Sequence, residues 1–352
     1  MTRQFQWFSF HRVIINDFVV EFLKRYSRQF VTLSFIDCDD VIDDCESRFQ
    51  DKIQNCDNLK FLEARNSHVI PLFASLPNVT TIILHVSSGL TDYIISELTK
   101  SLCRVEVLSL GSYVSCEEVI FKRFYVNGET VETNPSNLIL TFKSIKNFIE
   151  QHSNTLKAID ISLLQLTPEA VVTLSKIKSL KLNKVLLASG LHARYIEMFC
   201  ENQLSLTSLD LSSSLYVTNT TICNVCKCLP NLQELIIRYN DVIDNCIIDI
   251  LQLQHLIKLD LSYSIKISEL SYQEAVKNLK VFKLKHLNLA YAKISDESLF
   301  ELLKCNPDIR HLNLTHIGVS DKTLNMICKN LILLESLVLD SCSAISDSGL
   351  TG

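Results

Sequence analysis

Leu206-Thr-Ser-Leu209-Asp-Leu211, Leu232-Gln-Glu-Leu235-Ile-Ile237, Leu256-Ile-Lys-Leu259-Asp-Leu261, Leu284-Lys-His-Leu287-Asn-Leu289, Ile309-Arg-His-Leu312-Asn-Leu314 and Leu334-Glu-Ser-Leu337-Val-Leu339 are six copies of one pattern. They begin 26, 24, 28, 25 and 25 residues apart. Each reads as a short strand whose alternate leucines face one way. No single copy can hide that face from water, so the copies must stack and share a core. Weaker copies end at Phe35, Ala64, Leu84, Leu110, Leu140, Ile161 and Leu182, giving 13 expected strands at a mean spacing of about 25 residues.

Working outward, the rest of each repeat is also legible. A small residue follows the strand (Cys38, Ser214, Asn240, Ser264, Ala292, Cys342), where the chain turns inward. An aliphatic–Ser/Thr–acid triplet comes next: Ile294-Ser295-Asp296, Val319-Ser320-Asp321 and Ile345-Ser346-Asp347, with Leu90-Thr91-Asp92 and Ile267-Ser268-Glu269 as near copies. Ser or Thr there is a helix N-cap, and the acid suits the positive end of the helix dipole. Thr167-Pro168-Glu169 adds proline at the first helical position. Pro77, Pro230 and Pro307 stand two residues before the next strand opens and stop the preceding helix. A 20–29-residue strand–turn–helix period of this kind is the leucine-rich-repeat signature. The predicted fold is an α/β leucine-rich-repeat solenoid, a horseshoe with a parallel β-sheet on the concave face and helices on the convex one. Residues 1–352 are expected to form one domain of about 13 repeats, with 111–137 as an irregular insertion and 341–352 as an incomplete last repeat. Within the insertion, Asn127-Gly128 between extended apolar residues predicts a hairpin-like excursion, either a partner-binding insertion or a tolerated surface loop.

Composition narrows the function classes. The 352 residues carry a net charge of −5, 47% apolar residues, only 7 Gly and 6 Pro, and no Lys/Arg run. Nucleic acid and anionic membrane are therefore not expected as partners. No apolar stretch reaches the roughly 18–20 residues of a membrane span, and Met1 to Phe10 lacks the layout of a signal peptide. Thirteen scattered cysteines, an odd count, read as reduced thiols of the cytoplasm or nucleus. The sequons at Asn78, Asn219 and Asn313 are discounted, because such tripeptides arise by chance and Asn313 falls in a predicted strand.

The chemistry-bearing clusters read as structural. Cys223-Asn-Val-Cys226-Lys-Cys228 suggests zinc, but a structural site needs four ligands. Cys226 keeps the phase of Cys200 and Cys328, and Cys228 that of Cys305, so these are expected to be repeat-periodic core positions. The acidic run Asp37 to Glu46 lacks the alternating ligands and central glycine of a calcium loop and reads as a solvated turn and helix cap. No nucleophile elbow, phosphate-binding glycine loop or metalloprotease helix is present. No catalytic residue, metal or cofactor is expected, and the chain is read as a non-enzymatic, monomeric solenoid.

The candidate site is a protein-binding concave face. Strand alternation turns Asp160, Lys181, Asp210, Ile236, Asp260, Asn288 and Asn313 outward. His286 and His311 share one phase of adjacent repeats and are expected to stack about 5 Å apart, the strand spacing. Two residues beyond the last strand aliphatic stand Tyr239, Tyr263, Tyr291 and His316, with Arg238 beside the first. Stacked repeats align these into a ladder about 15 Å long. Tyr and Arg are enriched where interfaces carry their binding energy. The plain alternative is that the rings pack on one another and shield the turn.

With cysteine near the turn and the Ile-Ser-Asp triplet, these repeats resemble the cysteine-containing leucine-rich-repeat subtype, most closely in Leu337-Val-Leu339-Asp-Ser-Cys342-Ser-Ala-Ile345-Ser-Asp347-Ser-Gly349-Leu350. That subtype is typical of F-box/leucine-rich-repeat proteins, and the resemblance implies a substrate receptor of an SCF-type cullin ubiquitin ligase, acting in ubiquitin-dependent protein catabolism. Trp7, Phe8, Phe10, Val19-Val20, Lys24-Arg25, Leu33-Ser34-Phe35 and Cys38 are similar to the segment that follows the F-box in that family, so residues 1–29 read as that segment. The F-box itself is absent, and no polar capping repeat closes the array at Gly352, so sequence is expected to be missing at both ends. Docking on the cullin-ligase adaptor is expected only with an upstream F-box. The second reading is an F-box-free scaffold or regulator that binds a protein for assembly or inhibition.

Overall fold

The computed structural model describes residues 6–38, 52–67, 69–86, 90–112, 140–164, 166–187, 191–212, 216–239, 246–278 and 283–351. The chain forms two compact units, Met1–Leu182 and Asn183–Gly352. In the first, β1 (Trp7–His11), β2 (Thr32–Ile36), β3 (Phe61–Arg65), β4 (Thr81–Val86), β5 (Val107–Ser112) and β6 (Ala158–Leu163) lie side by side in chain order. Every pair is parallel. Among its described residues the α-helices are α1 (Asp17–Tyr26), α2 (Asp92–Ser101), α3 (Phe142–His152) and α4 (Pro168–Ser175).

The second unit repeats this more regularly, with three-residue strands β7 (Lys184–Leu186), β8 (Ser208–Asp210), β9 (Glu234–Ile236), β10 (Lys258–Asp260), β11 (His286–Asn288), β12 (His311–Asn313) and β13 (Ser336–Val338). These are parallel and in chain order too. Between them run α5 (Ala193–Asn202), α6 (Asn219–Cys228), α7 (Cys246–Leu251), α8 (Glu269–Asn278), α9 (Asp296–Lys304) and α10 (Asp321–Asn330), and α11 (Asp347–Thr351) follows β13. A parallel neighbour can be reached only by a crossover; a helix supplies it between most of the described strands, and a single 3-10 turn at Ile70–Leu72 lies between β3 and β4. The fold is an α/β leucine-rich-repeat solenoid.

The motif leucines explain the stacking. Leu206, Leu209, Leu211, Leu232, Leu235 and Ile237 are all buried, as are their counterparts through Leu314. Burying a Leu or Ile side chain contributes about 1.5–3 kcal/mol, so the framework is carried by this column. The N-cap reading holds for Thr91, Thr167, Ser295 and Ser320, and Thr141 and Thr218 act alike: each accepts from the backbone N–H three residues on. The turn residues bond across repeats. Cys38 Sγ reaches the Phe10 carbonyl at 3.4 Å, Ser264 Oγ the Ile237 carbonyl at 3.0 Å, and Cys342 Sγ the Leu314 carbonyl at 3.2 Å.

Four expectations are corrected. Leu140 ends no strand: it is the aliphatic residue before Thr141, the N-cap of α3, and so belongs to a turn–helix signature. Leu182 opens a motif rather than closing one, because the strand lies at Lys184–Leu186 and pairs Val185 with Leu209. Lys181 therefore precedes the sheet, and Leu186 takes the outward place opposite Asp210. The strand count, which started at the strand ending at Phe35, missed β1 at Trp7–His11; α1 follows it, capped by Asn16, and Phe10 stacks on Phe35 at 5.1 Å. Cys200 and Cys226 are buried as the phase argument requires, but Cys328 is exposed. Residues 113–137 of the insertion, Asp39 to Glu46 of the acidic run, Ser214 and Asn240 lie outside the described residues.

Candidate protein-binding face

The sheet face opposite the helices carries two rows of rings in the second unit. Just past β9, β10, β11 and β12, Tyr239, Tyr263, Tyr291 and His316 adopt φ of 53°, 61°, 61° and 57°. A left-handed backbone is uncommon for a bulky residue and is a strain that surroundings must over-determine. The surroundings are visible. Each of these N–H groups donates to a carbonyl of the next repeat: Tyr239 to Ser262 at 3.2 Å, Tyr263 to Ala290, Tyr291 to Thr315 and His316 to Asp340 at 2.9 Å. The parallel ladder thus continues through the turn and fixes every ring at the same height.

The rings stack as a result. Centroids are 4.4 Å apart for Tyr239–Tyr263, 4.3 Å for Tyr263–Tyr291 and 4.2 Å for Tyr291–His316, with interplanar angles of 19°, 15° and 27°. Partial desolvation, then the neighbouring phenols, holds the Tyr239 and Tyr263 hydroxyls above the usual tyrosine range. The rings pack on one another, while Tyr239 remains 55% exposed and His316 is exposed as well.

At the start of the strands the second row is made by His286 and His311, paired in register between β11 and β12, 4.4 Å apart and within 8° of parallel. Burial, then the neighbouring His311 and Lys258, holds His286 below the usual histidine range against the pull of Glu234 and Glu335. The two rings line a shallow groove of about 200 Å³ over β10–β13, together with Lys258, Asn288, Asn313 and Val338.

Between the rows, the outward Asp and Asn residues do a job the sequence did not reveal. Asp210 accepts from Ser212 N at 2.9 Å and Ser212 Oγ at 2.5 Å; Asp260 treats Ser262 alike at 3.0 and 2.6 Å. Asn313 accepts from Thr315 at 3.0 and 2.7 Å, and Asn288 from the Ala290 N–H at 3.1 Å. Each closes an Asx turn at its strand end. Asp260 is 4% exposed, and its second oxygen takes Arg238 Nε at 2.7 Å and Asn288 Nδ2 at 3.1 Å. Arg238 is thereby aimed beside Tyr239, while Asp260 organises the face from beneath.

The first unit carries a polar chain across the same face that sequence reasoning missed. Ser34 donates to Glu63 at 2.7 Å, Glu63 pairs with Arg65 at 2.6 Å, and Arg65 reaches His85 at 3.3 Å. His85 Nε2 meets Ser109 Oγ at 2.7 Å, and Ser109 donates to Asp160 at 2.9 Å. The serine bridges imidazole and carboxylate, so the imidazole is not oriented by the acid as a hydrolytic triad requires. Strand pairing was the available signal, since Ser34 faces Glu63, Arg65 faces His85, and Ser109 faces Asp160. Gly111 leaves room here: a Cβ would stand 2.8 Å from Leu163 Cβ and 3.1 Å from His85 Cδ2.

Among the described residues, no group of three or more His, Cys, Asp or Glu is placed to hold a metal ion, and no helix is long and apolar enough to cross a membrane. Cys223 instead donates to Asp249 at 2.8 Å, and burial with that acid pushes its thiol up to about 11.

No protein-family model matches the chain, and no curated protein matches it in sequence. Solved structures do match in shape. A chain of the crystal structure of the Rad7 and Elc1 complex in yeast superposes with a TM-score of 0.59 at 14% identity, over 94% of this chain and 75% of that one. An internalin from Listeria monocytogenes gives 0.38 at 19% identity, over 92% of this chain and 71% of that one. At 14% identity the likeness to the yeast chain is one of architecture. What it establishes for this chain is the leucine-rich-repeat solenoid fold.

Proposed function

We propose that the chain is a non-enzymatic protein-binding module that holds a segment of a partner protein against the open, concave sheet face of its second unit. The observation that carries this is the ladder Tyr239–Tyr263–Tyr291–His316, four rings at strained left-handed positions in consecutive repeats. Strain that persists in several copies is a pointer to use, because glycine or asparagine would fill such turns more comfortably. Tyrosine presents a rigid, amphipathic surface that loses little side-chain entropy on binding. In its finer form the proposal is the substrate-recognition arm of an F-box-type receptor of an SCF-type cullin ubiquitin ligase, working in the cytoplasm or nucleus. Its support is the cysteine-containing repeat pattern, together with a fold neighbour that was itself crystallised in a protein complex. Contact with the cullin-ligase adaptor belongs to a protein that also carries an F-box; without one, the same face serves a scaffold or regulator.

The test is proximity labelling in cells with the chain and with a Tyr263→Asn/Tyr291→Asn variant. Proteins labelled by the first and lost from the second, with both equally folded, are the expected result. Identical labelling would sink the site.

A further inference from the structure

The groove over β10–β13 differs in charge from the molecule around it. Three cations stand at or just before the starts of its strands: Lys258, Lys285 and Arg310. Among the described residues three carboxylates lie near them, and one of these, Asp260, is taken by Arg238. Glu234 lies 3.9 Å from both Lys184 and Lys258, and Glu335 pairs with Arg310 while standing 3.6 Å from His311. Lys285 is exposed and enters no ion pair among the described residues; its N–H and carbonyl are held between Ile257 and Arg310 by the strand ladder. This excess of positive charge occurs in a chain whose net charge is −5. Between the cations lie the two stacked imidazoles, their parallel edges turned the same way.

We infer that this groove receives an acidic peptide segment, whose glutamate or aspartate carboxylates seat on His286 and His311 between Lys258 and Lys285. The inference rests on the protein-binding reading above and gives that partner its chemistry. Glu335 is the built-in stand-in: a carboxylate already at His311 and Arg310, showing that an acid fits there. A segment long enough to reach from the strand starts to the tyrosine ladder crosses five residues of strand, about 16 Å. Its acids lie over the cations and its apolar or hydrogen-bonding groups over the rings.

The geometry couples binding to protons. In the free protein His286 is disfavoured as a cation by burial, His311 and Lys258, with Glu234 and Glu335 opposing. An incoming carboxylate adds negative charge and raises the affinity of the His286 ring for a proton. The bound state then has the higher histidine pKa, so the extra binding is fully present below the free value. It is lost as pH rises through the bound value.

The experiment is fluorescence polarisation with the full chain and two labelled peptides, a Glu-Ser repeat and its Gln-Ser counterpart. The Glu peptide is expected to bind at least about tenfold tighter than the Gln peptide, and about threefold or more tighter near pH 6 than near pH 8. His286→Gln/His311→Gln should remove the pH dependence, and Lys258→Gln/Lys285→Gln should weaken binding. Glu335→Gln should strengthen it by removing the resident competitor, an outcome that a merely unfolded variant cannot give. Equal binding of the two peptides, or an unchanged pH profile in the double histidine variant, overturns the inference. Labelling that still depends on Tyr263 and Tyr291 would then leave the protein-binding reading standing.

Discussion

Tyr263 sits at φ 61° with its ring between Tyr239 and Tyr291. The same left-handed turn is filled by Asp37 and Asn66 in the first unit and by Ser341 after β13, small polar residues better suited to it. Tyr263→Asn should therefore fold with a melting temperature within a few degrees of the parent, since relief of backbone strain offsets the lost ring stacking. Tyr263→Ala keeps the strain and loses the stack, so it should melt lower than Tyr263→Asn. Thermal unfolding followed by circular dichroism decides this, and an Asn variant less stable than the Ala variant would show that stacking dominates. Asp260 is a contrasting residue, buried beneath the ladder with four hydrogen-bonding contacts. Asp260→Ala opens the Ser262 turn and leaves Arg238 without its acid, for a loss of about 2 kcal/mol read by urea denaturation. A variant as stable as the parent would mean that water replaces those bonds fully.

At the scale of elements, the repeats are fastened along their helix starts as well as through the core. Asp92 accepts from Thr141 N at 2.7 Å, Glu269 from Ser295 N at 2.7 Å, Asp296 from Ser320 N at 2.8 Å and Asp321 from Ser346 N at 2.8 Å. In each case the acid at the start of one helix caps the N-cap residue of the next. Partial burial alone would raise the Asp296 carboxyl, but the Ser320 hydroxyl and N–H outweigh it and hold the group below its usual range. Glu269 is held low against burial in the same way by Ser295 and Ser298. A depressed carboxyl contributes stability above its unfolded pKa and loses it as pH falls through the folded value. The α8–α10 edge should thus loosen below about pH 4. Asp296→Ala should reduce stability by about 1–2 kcal/mol and flatten that acid limb, whereas Asp→Ala at the unlinked Asp308 should leave both unchanged. Part of this was legible beforehand. Alternation and the 25-residue period show which residues face inward, because burial of leucine is a local rule repeated many times. The triplet acids appeared only as helix-dipole partners, since their second role needs the next repeat's position. Leu140 was misread because an aliphatic pair before an N-cap resembles a strand end. Asp210 and Asp260 look alike in one sequence, and only the arginine two residues past β9 makes the second a buried anchor.

Across the whole molecule, cohesion runs from each repeat to its neighbours, so damage should spread by distance along the array rather than everywhere at once. Leu287 lies at the centre of β11, 3% exposed, paired with Leu259 on one side and Leu312 on the other. Leu287→Ala removes buried methyl groups and leaves a cavity, for a loss of about 2–5 kcal/mol. In a globule with one cooperative core, that loss would accelerate exchange at every amide that opens globally. In a solenoid the loss is shared only with adjacent interfaces. Hydrogen exchange should therefore quicken most in β10–β12 and in α8 and α9, and fade towards β7 and β8 of the same unit. The imidazole groove and the tyrosine ladder both lie on those loosened strands, so Leu287→Ala should weaken binding on the open face while leaving the Ser34–Glu63–Arg65 chain of the first unit protected. Uniform acceleration throughout the second unit would mean that its repeats fold as one block. Binding there would then depend on global stability rather than on the local register that sets its rings in line.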